Sequence, residues 1–151
     1  MPLDCWVADR LPRALGYAGL VLSAADHLEI QRLYTAYNNA IAAGDSAAWT
    51  SCFIPGGVFS NRSRSVRGHA DLERYAAGFM AGRGTRYLIN NLVLEPDGAG
   101  ARGTCYLVIL RLQAKAVAAV DLTGVYSDSL VRHGGAWKFA SRHIQRDMPD
   151  S

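Results

Sequence analysis

Near Thr85 the hydrophobic period of this chain changes from helical to two, and that change restricts the folds open to it. Before it, Ile30, Leu33, Tyr34, Tyr37 and Ile41 recur at helical spacing. Ser23 followed by Asp26 resembles a capping box in front of that run, and Gly44 ends it. Asp45 or Ser46 then caps a short second helix carrying Ala48, Trp49, Cys52 and Phe53, and Pro55-Gly56-Gly57 reads as a turn. A short strand or hairpin is expected over 58–66. A third helix follows Gly68, with Leu72, Tyr75, Ala76, Phe79 and Met80 on one face. After Thr85, the segments 87–95, 103–113, 121–132 and 137–146 are rich in β-branched and aromatic residues and read as strands. Pro96-Asp97-Gly98 and His133-Gly134-Gly135 are the turns between them. Helices first and strands after predict an α+β fold, with a curved, mostly antiparallel sheet packed on about three N-terminal helices.

A chain of 151 residues suits one domain with a substantial core. The net charge is only +3, with no basic run or aromatic-interleaved basic patch, which argues against a nucleic-acid partner. Cys5, Cys52 and Cys105 are widely spaced and odd in number, as expected of free thiols in a reducing cytoplasm. The apolar stretch 15–25 is too short to span a bilayer, and Asp4, Asp9, Gly16 and Gly19 weigh against a signal peptide. Residues 1–22 therefore read as an extension packed on the domain or on a partner subunit, and 23–151 as the domain itself. The four histidines lack metal-ligand spacing, so neither a metal nor another cofactor is expected.

Four stretches carry a more specific likeness. They are Leu33-Tyr34-Thr35-Ala36-Tyr37-Asn38-Asn39-Ala40-Ile41-Ala42-Ala43-Gly44-Asp45, Thr85-Arg86-Tyr87-Leu88-Ile89-Asn90-Asn91, Gly124-Val125-Tyr126-Ser127-Asp128 and Trp137-Lys138-Phe139-Ala140-Ser141-Arg142. Together they resemble the SnoaL-like branch of the NTF2-like superfamily, over roughly residues 25–147. The resemblance implies a cone, a sheet wrapped around helices with a deep apolar pocket between them. It also implies lyase, isomerase, dehydratase or polyketide-cyclase-like chemistry, usually with an acid/base pair on the walls. This chain has Ala42 where many relatives carry an Asp, and Tyr87 where they carry a His after Thr-Arg.

The candidate site residues follow from both readings. Tyr34, Tyr37 and Asn38 on the first helix, with Trp49, Phe53 and Phe79, either line a ligand pocket or form plain core stripe. Tyr87, Ile89 and Asn91 alternate onto one strand face, which the resemblance turns toward the pocket. Tyr87 and Asn91 there could polarise a substrate oxygen. Asp121 and Asp128 lie seven residues apart, on opposite faces of a regular strand, so one at most lines the pocket unless a bulge intervenes. Asp128 suits a structural pair with Arg142, whereas Asp121 is either a buried base or an exposed strand-start residue. Of Arg142 and His143 only one can face inward, and His143 is the candidate among the histidines for moving a proton.

The leading expectation is a cofactor-independent enzyme of lyase, isomerase, dehydratase or cyclase type acting on an apolar aromatic or polycyclic molecule. The alternatives are a small-molecule-binding protein that has lost the acid/base pair, or an accessory subunit like the beta subunits of ring-hydroxylating dioxygenases. Tyr106-Leu107-Val108-Ile109-Leu110 is apolar on both faces, so a homodimer through the outer sheet face is expected.

Overall fold

The computed structural model describes residues 21–81, 84–113 and 118–147, so most of the 1–22 extension lies outside the described residues. Helix α1, Ala24–Ala43, begins at Ser23. Its hydroxyl accepts from the Asp26 amide while the Asp26 carboxylate accepts from the Ser23 amide, a complete capping box. Gly44 ends α1 in the left-handed region at φ 71°. Asp45 caps α2, Ser46–Ser51, by accepting from the Ala48 amide. Strands β1, Phe53–Asn61, and β2, Arg64–Arg67, form a hairpin, and α3, His69–Met80, follows. His69 is not a cap. Gly68 holds that position, and the His69 ring meets the Phe53 carbonyl at 2.9 Å.

Strands β3, Thr85–Asp97, β4, Gly100–Leu112, β5, Ala118–His133, and β6, Ala136–Arg146, run as a meander. The sheet order is β2-β1-β6-β5-β4-β3, antiparallel except for the parallel β1–β6 pair. The result is three helices on a curved six-stranded mixed sheet, an α+β cone. Four of the five strand pairings contain a register shift. Each shift adds local twist and bend, and this is what curls the sheet around the helices. The expected turn at Pro55-Gly56-Gly57 is one of these irregularities, inside β1, because the chain keeps pairing with β6 on both sides of it.

The core is aromatic at its centre. Tyr37 sits between the rings of Trp49, Phe53, Tyr126 and Phe139, with centroids 5.4 to 6.2 Å away. Trp49 in turn touches Phe59, Tyr75 and Phe79, which joins α1, α2, α3 and β1 in one cluster. Truncating a fully buried ring such as Trp49 typically costs about 3–5 kcal/mol. No helix among the described residues is long and apolar enough to cross a membrane.

Asp26 does more than cap α1. Its Oδ1 also accepts from Arg132 Nη2 at 2.6 Å and Trp137 Nε1 at 2.9 Å, tying the helix start to the β5–β6 turn. The Ser23 hydroxyl and amide, then Trp137 and Arg132, hold its carboxyl well below the usual range. A carboxyl with a depressed folded-state pKa stabilises fully above its unfolded value of about 4, and that contribution is lost as pH falls further. Asp26→Asn should therefore lower Tm at neutral pH. The gap to wild type should close as pH drops below about 4, measured by thermal melts across that range.

Candidate functional site: a tyrosine-floored cavity above a buried ion pair

The site is built on a closed charged layer. Asp128 and Arg142 face each other directly across β5 and β6. Arg142 Nε donates to Asp128 Oδ1 at 2.8 Å and Nη2 to Oδ2 at 2.7 Å, and both side chains are fully buried. The Tyr34 hydroxyl donates to the same Oδ2 at 2.5 Å. Gly103 makes this reach possible, because a Cβ there would lie 2.3 Å from the Tyr34 hydroxyl oxygen. The guanidinium carbon lies 4.0 Å from the Tyr126 ring centroid, 4.1 Å from Phe139, 4.3 Å from Tyr37 and 4.6 Å from Tyr34. Burial opposes its charge. Asp128 and the surrounding rings more than offset that, and Arg142 stays ionised.

Above this layer a cavity of about 340 Å³ opens between α1, α3 and the sheet, within the usual size of small-molecule sites. Its walls are mixed, with the apolar side chains Ile41, Phe59, Phe79, Ile109, Leu122 and Ile144 beside polar ones. Tyr37, Tyr75, Tyr87 and Tyr126 add four phenols, of which Tyr37, Tyr87 and Tyr126 lie together. These are close enough to act on one another. The Tyr126 ring meets Tyr37 edge-on with centroids 6.2 Å apart, and Tyr87 bears electrostatically on both. The Trp49 indole N–H points toward the Tyr37 hydroxyl but falls short of full hydrogen-bond geometry. Desolvation pushes Tyr37 and Tyr126 well above the ordinary phenol range, so both remain protonated donors.

Asp121 reaches the same cavity through a bulge. Ile109 of β4 opposes Leu122, but Leu110 opposes Val120, which leaves Asp121 as the extra residue of β5. Asp121 and Leu122 then both line the cavity, as a bulge permits by re-aiming one side chain. The bulge also breaks parity along β5: Asp128 is fully buried in the closed layer, whereas Asp121 borders the cavity as an exposed residue near the start of the strand, not a buried one. Arg111 donates to Asp121 Oδ1 from Nε at 2.9 Å and Nη2 at 2.6 Å.

Other expected site residues fall elsewhere. Asn91 does not share the Tyr87 face. It takes φ 54° in the β3 bulge between Asn90 and Val93, so Leu92 and Leu94 turn inward and Asn91 is exposed. His143 points outward and meets Ser60 Oγ at 2.9 Å, because Arg142 takes the inward position. Tyr34 belongs to the ion pair, and Trp49 and Phe53 are core beneath the cavity. Asn38 and Ile89 pack partly buried outside its lining, while Tyr37, Tyr87, Phe79 and Asp121 line it. Ala42 borders a separate cleft of about 250 Å³ with Gly44, Met80 and Thr85. Tyr126, Arg111 and Arg146 were not anticipated as cavity residues, although an inward Asp128 implies an inward Tyr126 and an inward Arg142 an inward Arg146. Burial raises the Cys52 thiol to about 11 and the Cys105 thiol to about 12, which makes both inert at neutral pH.

The model of the SnoaL-like domain family matches residues 23–143. None of the curated proteins matches the chain. Among solved structures, a variant of Rv3472, a function-unknown protein of Mycobacterium tuberculosis, is 29% identical with a TM-score of 0.77, over 83% of this chain and 78% of that one. Aln2 from a Streptomyces species is 25% identical with a TM-score of 0.73, over 83% and 93%. A Catenulispora acidiphila protein solved in complex with S-DNPA is 22% identical, covers 83% and 96%, and has a TM-score of 0.75, which shows a shared fold.

Breaking the closed layer from one side strands a buried charge. Asp128→Ala or Arg142→Met alone should cost about 3–5 kcal/mol in denaturant unfolding. Replacing both, Asp128→Leu with Arg142→Met, should cost clearly less than the sum of the two single changes.

Proposed function

The chain belongs to the SnoaL-like family, and from that premise we propose that it is a cofactor-independent enzyme that moves a proton on an apolar aromatic or polycyclic carbonyl compound. The observation that carries this reading is the pairing of two kinds of group in one cavity: the carboxyl group of Asp121 and the phenols of Tyr37, Tyr87 and Tyr126. Asp121 is the proposed base. It removes a proton from the carbon next to a substrate carbonyl, and the C–H electron pair shifts to the oxygen as an enolate. The tyrosines hydrogen-bond that oxygen as its charge develops, where a low dielectric makes each donor most effective. Protonated Asp121 then returns the proton at another carbon or to a departing hydroxyl, giving isomerisation or dehydration. Attack of the enolate carbon on a second carbonyl gives cyclisation. Each step balances without an oxidant or reductant. Arg111 holds the Asp121 carboxylate in place through two hydrogen bonds.

The same Arg111 contact favours a second reading, a binding protein, if the guanidinium holds the carboxylate too firmly for it to act as a base. Hydrogen–deuterium exchange next to the carbonyl of 1-tetralone, followed by mass spectrometry in deuterated buffer, separates the two. Acceleration by wild type should fall about ten-fold or more in Tyr87→Phe and further in Asp121→Asn, with Tm nearly unchanged. Binding of 1-tetralone without accelerated exchange supports the binding role.

Leu88 and Tyr106 leave 46% and 56% of their surface exposed on the outer sheet face, on the neighbouring strands β3 and β4. This supports a homodimer through that face, with the free thiols Cys52 and Cys105 suited to a reducing cytoplasm. Light scattering at micromolar concentration should give twice the chain mass, and Tyr106→Glu should give the monomer.

A further inference from the structure

We propose that the cavity takes ligands bearing a carboxylate, held at the mouth by Arg146 with Asn61; this rests on the cavity being the ligand site. The cavity lining carries the cations Arg111 and Arg146 against one anion, Asp121. Arg111 is committed to Asp121 through two nitrogens. Arg146 has no acidic partner among the described residues and leaves the cavity with one uncompensated positive charge.

Strand geometry aims that charge. Arg142, Ile144 and Arg146 occupy one face of β6, and the first two are buried. Arg146, at the last position of the strand, is where that face emerges at the rim. Its cross-strand neighbour is Gly124, which has no side chain to cover it. Asn61 lies at the same end of the sheet, since its partner in β6 is Ile144. The Asn61 Oδ1 is spent on the β1–β2 turn, accepting from the Ser63 amide and hydroxyl and the Arg64 amide. The group it has left to offer at the rim is its amide NH2, a donor. The mouth thus presents a guanidinium and an amide N–H, the donors a carboxylate seeks. A fitting ligand is amphiphilic: a flat apolar body against Phe59, Phe79 and Leu122, an oxygen toward the tyrosines, and an anionic end at the rim.

The test compares naphthalene-2-acetate with its primary amide by isothermal titration at low and high salt. Wild type should bind the acid at least ten-fold tighter than the amide at low salt, and the margin should shrink at high salt. Arg146→Gln should erase the margin by weakening the acid far more than the amide, with Tm unchanged, while Arg146→Lys should retain part of it. Equal binding of both probes by wild type would overturn the carboxylate assignment and leave the cavity reading standing. A preference that survives Arg146→Gln would overturn it too, by locating the charge elsewhere. If neither probe binds, the assignment falls together with the cavity reading beneath it.

Discussion

A single guanidinium, buried among four aromatic rings and bound to one carboxylate, is the constraint the rest of this fold answers to. Ionised groups are driven out of interiors unless their charge is met on all sides. Meeting that of Arg142 recruits Asp128 from the next strand, Tyr34 from α1 to share the carboxylate, and a glycine at position 103 to admit the phenol. The rings that cover the cation are also the centre of the core. Tyr37 and Tyr126 therefore have two loyalties. Their rings pack on the guanidinium, and both residues also line the cavity. The cavity floor thus rests on a charge that does not itself line the cavity.

That coupling gives the site its chemical character. Phenols in such a setting keep their protons, so they act as donors rather than bases. A base for the proposed reaction would have to come from elsewhere, and the β5 bulge brings Asp121 to the cavity lining. Donors at the floor, a carboxylate on the wall and a cation at the rim divide the cavity into polar stations separated by hydrocarbon.

Much of this was legible in the residues alone, and what was not has a common cause. The capping box, the Gly44 stop and the change of period near Thr85 are local, and each reads correctly. The Asp128–Arg142 pair was legible as opposite charges on neighbouring strands, although the shift between Ser129 and Leu130 moves the register set by the turn by one residue before the two stand opposite each other. The placements of Asn91 and Asp121 turn on bulges, which arise from cross-strand pairing and leave no period in a single strand. Asn91 carries a faint trace, since asparagine tolerates positive φ better than most residues. His143 was settled by parity: once Arg142 is inside, its neighbour must be outside.

The bulges have a consequence for how such a molecule can change. Each one uncouples the inside–outside alternation on its two sides, so the strand ends around the cavity and the strand middles over the ion pair keep separate phase. Loss of one residue at the Asp121 bulge would restore continuous alternation and exchange the residues that face the cavity along the start of β5, while the stretch from Tyr126 onward kept its place. The length of the chain at that point thus works as a selector: one residue more or fewer re-equips the wall in a single step, without disturbing the charge on which the fold is built.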